Sequence, residues 1–377
     1  MLSNNSTVSS ITISNSSIPS TSTALPPDVA IPLATCFILI IIASILFNTI
    51  LIFVILSERH LQTITNVYII NLAVGDMLLA IAVVPFDADF MLRGYYPYGT
   101  VLCGIKEVLF IFSLPSAVFN LFLLTLERFV SVYFPFKRIQ YFSKKNVFIS
   151  ISFSWIYTIN VGLFPIYYNG PSAIKVVGKV CQMEFSNKFA IYLISVNFVL
   201  PVLIMVSMYF SLFLLAHKHQ KQIQRLSINS LRKQSNSFQK NLKAAKTIFL
   251  LVGNFLVCWV SFIGIALSNL ICGGCHPREL TWISNVVNYS NIVFNPIIYG
   301  MLNKTIRKAI YKKLFQIFSC FCKTHYQNYI MRQIESNTSC TYNSPGVSKH
   351  NTIGMPLTLF GKDSHKQSYE SEADTLL

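Results

Sequence analysis

AIPLATCFILIIIASILFNTILIFVILS, residues 30–57, is the stretch on which the fold turns. It contains no charged side chain. As an α-helix it would extend about 42 Å at 1.5 Å per residue, enough to cross the roughly 30 Å hydrocarbon core of a bilayer. Residues 1–28 ahead of it are rich in Ser, Thr, Asn and Pro and are expected to be disordered. The first basic residue is Arg59, so the start lacks both the basic and the apolar parts of a cleaved signal. The run is therefore read as a retained anchor helix. Asn4, Asn5 and Asn15 each open an N-x-S/T sequon. One sequon is a weak pattern, but three in a polar tail favour a glycosylated extracellular end.

Six more apolar runs follow, at 65–90, 101–133, 146–167, 188–216, 242–270 and 280–302. Hydrophobic residues make up 53% of the chain and charged residues 12%, against about 25% charge in a soluble domain. That deficit implies a surface facing lipid. Lipid-facing backbone must close its own hydrogen bonds, which leaves helices as the way to cross seven times. The expected fold is an all-α integral membrane protein, with a seven-helix bundle over 29–302. The formal net charge is +16. Its Lys and Arg lie between the apolar runs, which suits anionic lipid and cytoplasmic partners and argues against nucleic acid.

Loop charge gives the expected orientation. Arg59 follows the first run. Lys137, Arg138, Lys144 and Lys145 follow the third. Lys218, Lys221, Arg225, Arg232, Lys233 and Lys240 follow the fifth, in a loop expected over about 217–241. The segment after the seventh run holds Lys304, Arg307, Lys308, Lys312 and Lys313. The opposite loops are sparsely basic. The N-terminus is expected outside and the C-terminus inside a plasma-membrane protein. Residues 303–319 set basic residues against Ile306, Ala309, Ile310, Leu314, Ile317 and Phe318, a pattern for a helix lying on the inner leaflet. Cys320 and Cys322 follow as palmitoylation candidates or as plain reduced thiols. The tail, 320–377, is polar and expected to be disordered. It ends Thr375-Leu376-Leu377 with Glu372 nearby, which fits a PDZ ligand or an acidic dileucine sorting signal.

Polar side chains deep in a membrane are costly and functional by default. Asn48 lies in the first run, Asp76 in the second, and Asn291 and Asn295 in the seventh. Asp76 with nearby carboxamides could hold a sodium ion or water; a water-filled packing network would use the same residues.

These residues fall into an ordered set. Asn48, Leu72-Ala73-x-x-Asp76, Glu127-Arg128-Phe129, Trp155, Pro201 with Tyr209, Phe255-x-x-Cys258-Trp259, and Asn295-Pro296-x-x-Tyr299 each sit in successive runs. Together they resemble the rhodopsin-like G-protein-coupled receptors over about 30–320. The resemblance implies that Arg128 pairs with Glu127 at rest and meets a heterotrimeric G protein on activation, with Tyr209 and Tyr299 swinging toward it. A charge pair of that kind can bias a bistable bundle. Pro135 and Phe136 resemble the loop residues that enter a groove on the G protein. Phe255, Trp259, Asn295 and Pro296 match the switch region. Arrestin and receptor kinases are the further partners implied, and no enzyme activity is. Cys103 and Cys181 match the family's disulfide. Cys272 and Cys275 form a CxxC, which could be a zinc half-site; with no second pair or histidine set in reach except His276, a short disulfide like that of adenosine and amine receptors is expected instead.

The chain departs from the pattern in several places. Glu127 replaces Asp and keeps the charge; Phe129 replaces Tyr and loses a hydroxyl. Ser261 stands where the sixth helix has its kinking proline, so that helix should be straighter. Pro115 in the third run is unusual. Lys240 and Asn241 replace the acid that would lock Arg128 to the sixth helix, which implies appreciable basal activity. Ala117 replaces a hydroxyl near Asp76, leaving a sodium site incomplete.

Amine receptors place an aspartate where this chain has Phe110, and opsins a lysine where it has Tyr289. Cys181-Gln182-Met183-Glu184 resembles the adenosine-receptor loop, but Ala266 and Tyr289 replace that family's asparagine and histidine. Glu107, Phe110, Glu184, Trp259, Asn285 and Tyr289 form the expected ligand pocket, with Trp282 as further aromatic lining. Asp87, Asp89, Glu107 and Glu184 could make an acidic mouth for a cationic ligand, or a rim offset by Arg93 and Lys106. The rival functions are a seven-span channel or transporter, for which only Asp76 speaks, and a receptor-like scavenger or trafficking protein without G-protein signalling.

Overall fold

A computed structural model describes residues 25–177, 179–225, 229–272 and 275–316. The sequons at Asn4, Asn5 and Asn15, the cysteines at 320 and 322, and Thr375–Leu377 lie outside the described residues.

Helix α1 (Pro27–Ser57) opens on a proline, whose missing N–H costs nothing in the first turn. Helix α2 (Ile64–Ala82) is capped by Thr63, whose side chain accepts from the Asn66 N–H. The second span then breaks at Val83 and resumes as α3 (Val84–Arg93). Pro85 supplies no N–H to continue the ladder, which accounts for the break. Gly94, at φ 71°, ends α3 in the left-handed conformation. Helix α4 (Gly99–Tyr133) carries Pro115 without interruption. A short α5 (Pro135–Tyr141) leads to α6 (Lys144–Asn169).

The antiparallel hairpin β1 (Ile174–Val177) and β2 (Val180–Met183) sits at the Cys103 end of α4, tied there by the Cys103–Cys181 disulfide. The fifth span is α7 (Asn187–Ile194), a wide π-turn over Ser195–Val199, and α8 (Leu200–Arg225). Pro201 has no N–H for the carbonyl four residues back, and the wide turn lies just there. Helices α9 (Asn229–Cys272) and α10 (Arg278–Leu302) follow, then α11 over 304–316, capped by the Asn303 side chain.

Among the described residues, six spans are long and apolar enough to cross a membrane. α10 is the most polar of the seven because Asn288, Asn291 and Asn295 turn into the bundle, where each is buried. The distribution is that of a protein in lipid. Ile38, Leu39, Ile42, Phe153, Ile156 and Val257 face outward, while Asn48, Asn71, Asp76, Asn120 and Asn295 are buried among the helices. α4 runs through the middle, packed against α2, α6, α8 and α9.

Two expectations are corrected. The loop placed at 217–241 is largely helical among the described residues, since α8 and α9 continue through it. α11 does not turn its whole apolar face outward: Ile306 and Ala309 are buried against the cluster that holds Tyr68 and Tyr299, and Lys312 and Lys313 lie 3.7 and 3.6 Å from Glu58. Its apolar pattern thus serves the bundle first, and Tyr311 and Phe315 are the large side chains it leaves exposed. Cys272 and Cys275 are disulfide-bonded, as expected, which leaves no zinc half-site there.

α4 and α6 approach closely at Gly162. A Cβ there would stand 2.7 Å from the Val108 carbonyl oxygen and 3.3 Å from a Val108 methyl. The first contact is backbone and cannot rotate away. Gly162→Ala should therefore cost about 1–3 kcal/mol. Thermal unfolding of the detergent-purified protein should show a clear fall in Tm, whereas Gly264→Ala, with nothing within 4 Å, should show none.

Candidate functional site

The buried polar residues form three layers along the bundle. In the layer near the Cys103–Cys181 disulfide, Lys106 reaches across from α4. Its Nζ lies 2.9 Å from Asp87 and 3.0 Å from Glu107. All three side chains are at least 85% buried. Tyr289 on α10 donates to the other Asp87 oxygen at 2.6 Å. Charges so far out of water persist only when paired. Two carboxylates share one ammonium, so this cluster keeps a net negative charge. The other acids of the expected mouth are neutralised one by one: Asp89 by Arg93 at 2.8 Å and Glu184 by Lys175 at 2.7 Å. Of the four acids expected at the mouth, Asp89 and Glu184 are thus offset singly, and Asp87 and Glu107 share one cation.

Aromatic rings gather beside it. Phe110 meets Phe262 and Tyr289 edge-on, and Trp282 stacks on Phe90. Glu184, by contrast, is tied down on the hairpin by Lys175 and does not join Asp87. Asn285 lies one turn from Tyr289 on α10, its Oδ1 buried with no hydrogen-bond partner among the described residues.

The middle layer centres on Asp76. Asn295 donates to it at 3.0 Å. Asn48 donates to the Ile292 carbonyl at 3.1 Å, fastening α1 to α10. Asn254 on α9 donates to Asn291 at 2.8 Å. A cavity beside Asp76 is lined by Ser113, Ser116, Asn120, Trp259 and Asn288. Neither amide atom of Asn288 has a partner among the described residues. Phe255 is fully buried under Trp259, with ring centroids 5.9 Å apart. Ser261, where the resemblance would place a helix-breaking proline, lies inside a continuous α9, and its hydroxyl donates to the Val257 carbonyl at 2.7 Å.

The third layer holds Glu127, which is fully buried. Arg128 Nε lies 3.2 Å from its Oε2, and Thr65 donates to that oxygen at 3.0 Å. Arg128 also donates to Thr65. Arg138, from α5, takes the other oxygen through Nη2 at 2.8 Å and Nε at 2.9 Å. Ser131 donates to it at 3.1 Å. Tyr209 pairs with Thr125 at 3.2 Å, and Tyr299 donates to Asn66 at 2.9 Å. Both tyrosines are thus held by other partners, and Arg128 is held by Glu127. Phe136 stands 93% exposed at the start of α5, beside Pro135.

The structure thus joins Glu127 with Arg128, Asp76 with Asn295, and Phe110 with Tyr289, as the sequence leads one to expect. It adds partners that sequence reasoning misses. Lys106 bridges two acids rather than merely offsetting a rim, and Thr65, Ser131 and Arg138 all serve Glu127. Trp155 donates to Asn71 at 2.8 Å, and Asn71 in turn donates to Asn120. The available signal for Arg138 is its place in the basic loop two residues after Phe136.

The comparisons agree with this geometry. Residues 47–299 match the 7 transmembrane receptor (rhodopsin family). The chain belongs to that family; its members are receptors, not enzymes, and this is a multi-pass membrane receptor. It is 27% identical over 319 residues to the octopamine receptor beta-1R of Drosophila melanogaster, covering 77% of this chain and 63% of that one. It therefore spans less than two thirds of that relative's length. It is 26% identical to the octopamine receptor beta-2R of Chilo suppressalis, over 78% of this chain and 83% of that one. The histamine H2 receptor of Cavia porcellus is also 26% identical, over 78% of this chain and 81% of its own length.

Removing the shared ammonium should expose the energetics of the outer cluster. Lys106→Met leaves two buried carboxylates facing each other and should destabilise by about 3–5 kcal/mol. Adding Glu107→Gln should recover part of the lost Tm in thermal unfolding. A Lys106→Met protein as stable as the parent would mean that the cluster is hydrated and its pairing unimportant.

Proposed function

We propose that the chain is a plasma-membrane receptor, N-terminus outside, that passes the binding of an extracellular cationic small molecule to heterotrimeric G proteins. The observation that carries the coupling is the Glu127–Arg128 pair beside the exposed Phe136. A held guanidinium next to an exposed aromatic is a surface that a G protein can meet once the pair opens. The basic loops on that side support its cytoplasmic placement. The tail beyond would serve arrestin and receptor kinases, with glycosylation at Asn4, Asn5 and Asn15, palmitoylation at Cys320 and Cys322, and a PDZ or sorting protein at Thr375–Leu377.

The relatives named above are receptors for octopamine and histamine by name, and an amine is the ligand class they suggest. Phe110 removes the usual aspartate anchor. The excess carboxylate of the Asp87–Lys106–Glu107 group supplies another place for an ammonium, bordered by the rings of Phe110, Trp282 and Tyr289. A ligand moves the receptor only by binding one state better than the other.

Asp76 suits a sodium ion in part. Ser113, Ser116 and Asn288 line the same cavity, and hydroxyl and amide oxygens are ligands that fit a hard cation. Ala117 offers no oxygen.

The test is G-protein dissociation in cells across all subtypes, with an amine library and with Arg128→Ala. A basal or ligand-evoked signal abolished by Arg128→Ala is expected. Glu107→Gln and Asp87→Asn should weaken the potency of an active amine about tenfold or more. Ser261, which leaves α9 unbroken, favours the second reading, a scavenger or trafficking receptor. Internalisation of ligand with no response from any subtype, at confirmed surface expression, would select it.

A further inference from the structure

The carboxylate of Glu127 is divided between two arginines on different elements. Arg138 holds the better geometry: two of its nitrogens reach Oε1, at 2.8 and 2.9 Å. Arg128 makes one contact to Oε2, at 3.2 Å, and shares that oxygen with Thr65. One negative charge thus faces two guanidiniums, out of reach of bulk solvent, since Glu127 is fully buried. Each holds less of it than a sole partner would. Arg138 is also the only one of the two that belongs to α5, the short helix on which Phe136 is presented.

We infer that Arg138 is a positioning residue for G-protein engagement, which acts by competing with Arg128 for Glu127 and by tethering α5 to the bundle. The inference rests on the coupling reading above. Both actions have the same sign. While Arg138 occupies Oε1, Arg128 is held by half a carboxylate and is released more readily. The same ion pair fixes the segment that carries Phe136. Loss of Arg138 returns the whole of Glu127 to Arg128 and unties α5, so the resting state gains on both counts.

The experiment is capture of a nucleotide-free heterotrimeric G protein, of the subtype giving the largest cellular response, by the full-length receptor in nanodiscs. Four proteins are compared: the parent, Arg138→Gln, Glu127→Gln and the double variant. Arg138→Gln should weaken capture about fivefold or more, and Glu127→Gln, which also unties α5 but frees Arg128, should leave more capture than Arg138→Gln does. In the Glu127→Gln background, Arg138→Gln should change nothing further, because its partner is gone. Arg138→Lys should restore part of the capture, since an ammonium keeps the charge but not the two-point contact. Unchanged or stronger capture by Arg138→Gln, or an equal fall in the Glu127→Gln background, would overturn the inference. Capture by none of the four would count against the coupling reading instead. The melting temperatures of the same proteins would then decide the pairing: shifts that are non-additive support the tie, and additive ones overturn it.

Discussion

A bilayer core offers no water, and the helical spans and the inward placement of their polar side chains follow from that. Backbone N–H and C=O groups there must pair within the chain, which makes the spans helical. Side-chain polar atoms obey the same rule, and they can obey it only toward the axis of the bundle. Asn48 therefore donates to the α10 backbone, Asn295 to Asp76, and Trp155 to Asn71. Hydrogen bonds carry specificity between helices whose apolar surfaces would otherwise slide on one another as easily as on lipid. Close approach does the rest: Gly162 lets α6 press against the Val108 carbonyl of α4.

The same constraint concentrates function. Glu127, Arg128 and Arg138 form an ion network with no exposed carboxylate, so its charges are felt at nearly full strength. Asp87, Lys106 and Glu107 do the same at the opposite end, with one negative charge left over. Between them, the cavity at Asp76 and Trp259 lies against α2, α4, α9 and α10. In the proposed function, ligand binding and partner binding meet the same buried polar column from its two ends.

The fold is legible because apolar length is read directly from the chain, and 30–57 announces a span before any other residue is consulted. The order of Asn48, Asp76, Glu127-Arg128, Trp259 and Asn295-Pro296 makes the family legible too. What cannot be read is rotation. Whether Lys106 points at Arg93's rim or at Asp87 depends on how α4 is turned against α3, and no one-dimensional pattern specifies it. Arg138 is hidden for the same reason: eleven residues of chain and a helix break separate it from Glu127. Ile306 and Ala309 match a lipid-facing pattern because lipid and a helix-bundle end look alike to an apolar face. Polarity alone suggests a loop at 217–241, yet polar residues extend helices as readily as they end them.

The π-turn at Ser195–Val199 has a consequence for anyone aligning this chain with its relatives. A wide turn takes up one residue more than an α-turn, so the two halves of the fifth span run out of angular phase. Counted from Pro201 toward the hairpin, positions before Ser195 point about 100° away from where a regular helix of 3.6 residues per turn would aim them. Asn197 lies within the turn, fully buried and bonded to Tyr157 at 2.8 Å, which fixes the offset in place. Residue-by-residue transfer of ligand contacts onto α7 from a relative whose fifth helix is regular would name the neighbour of the true contact each time.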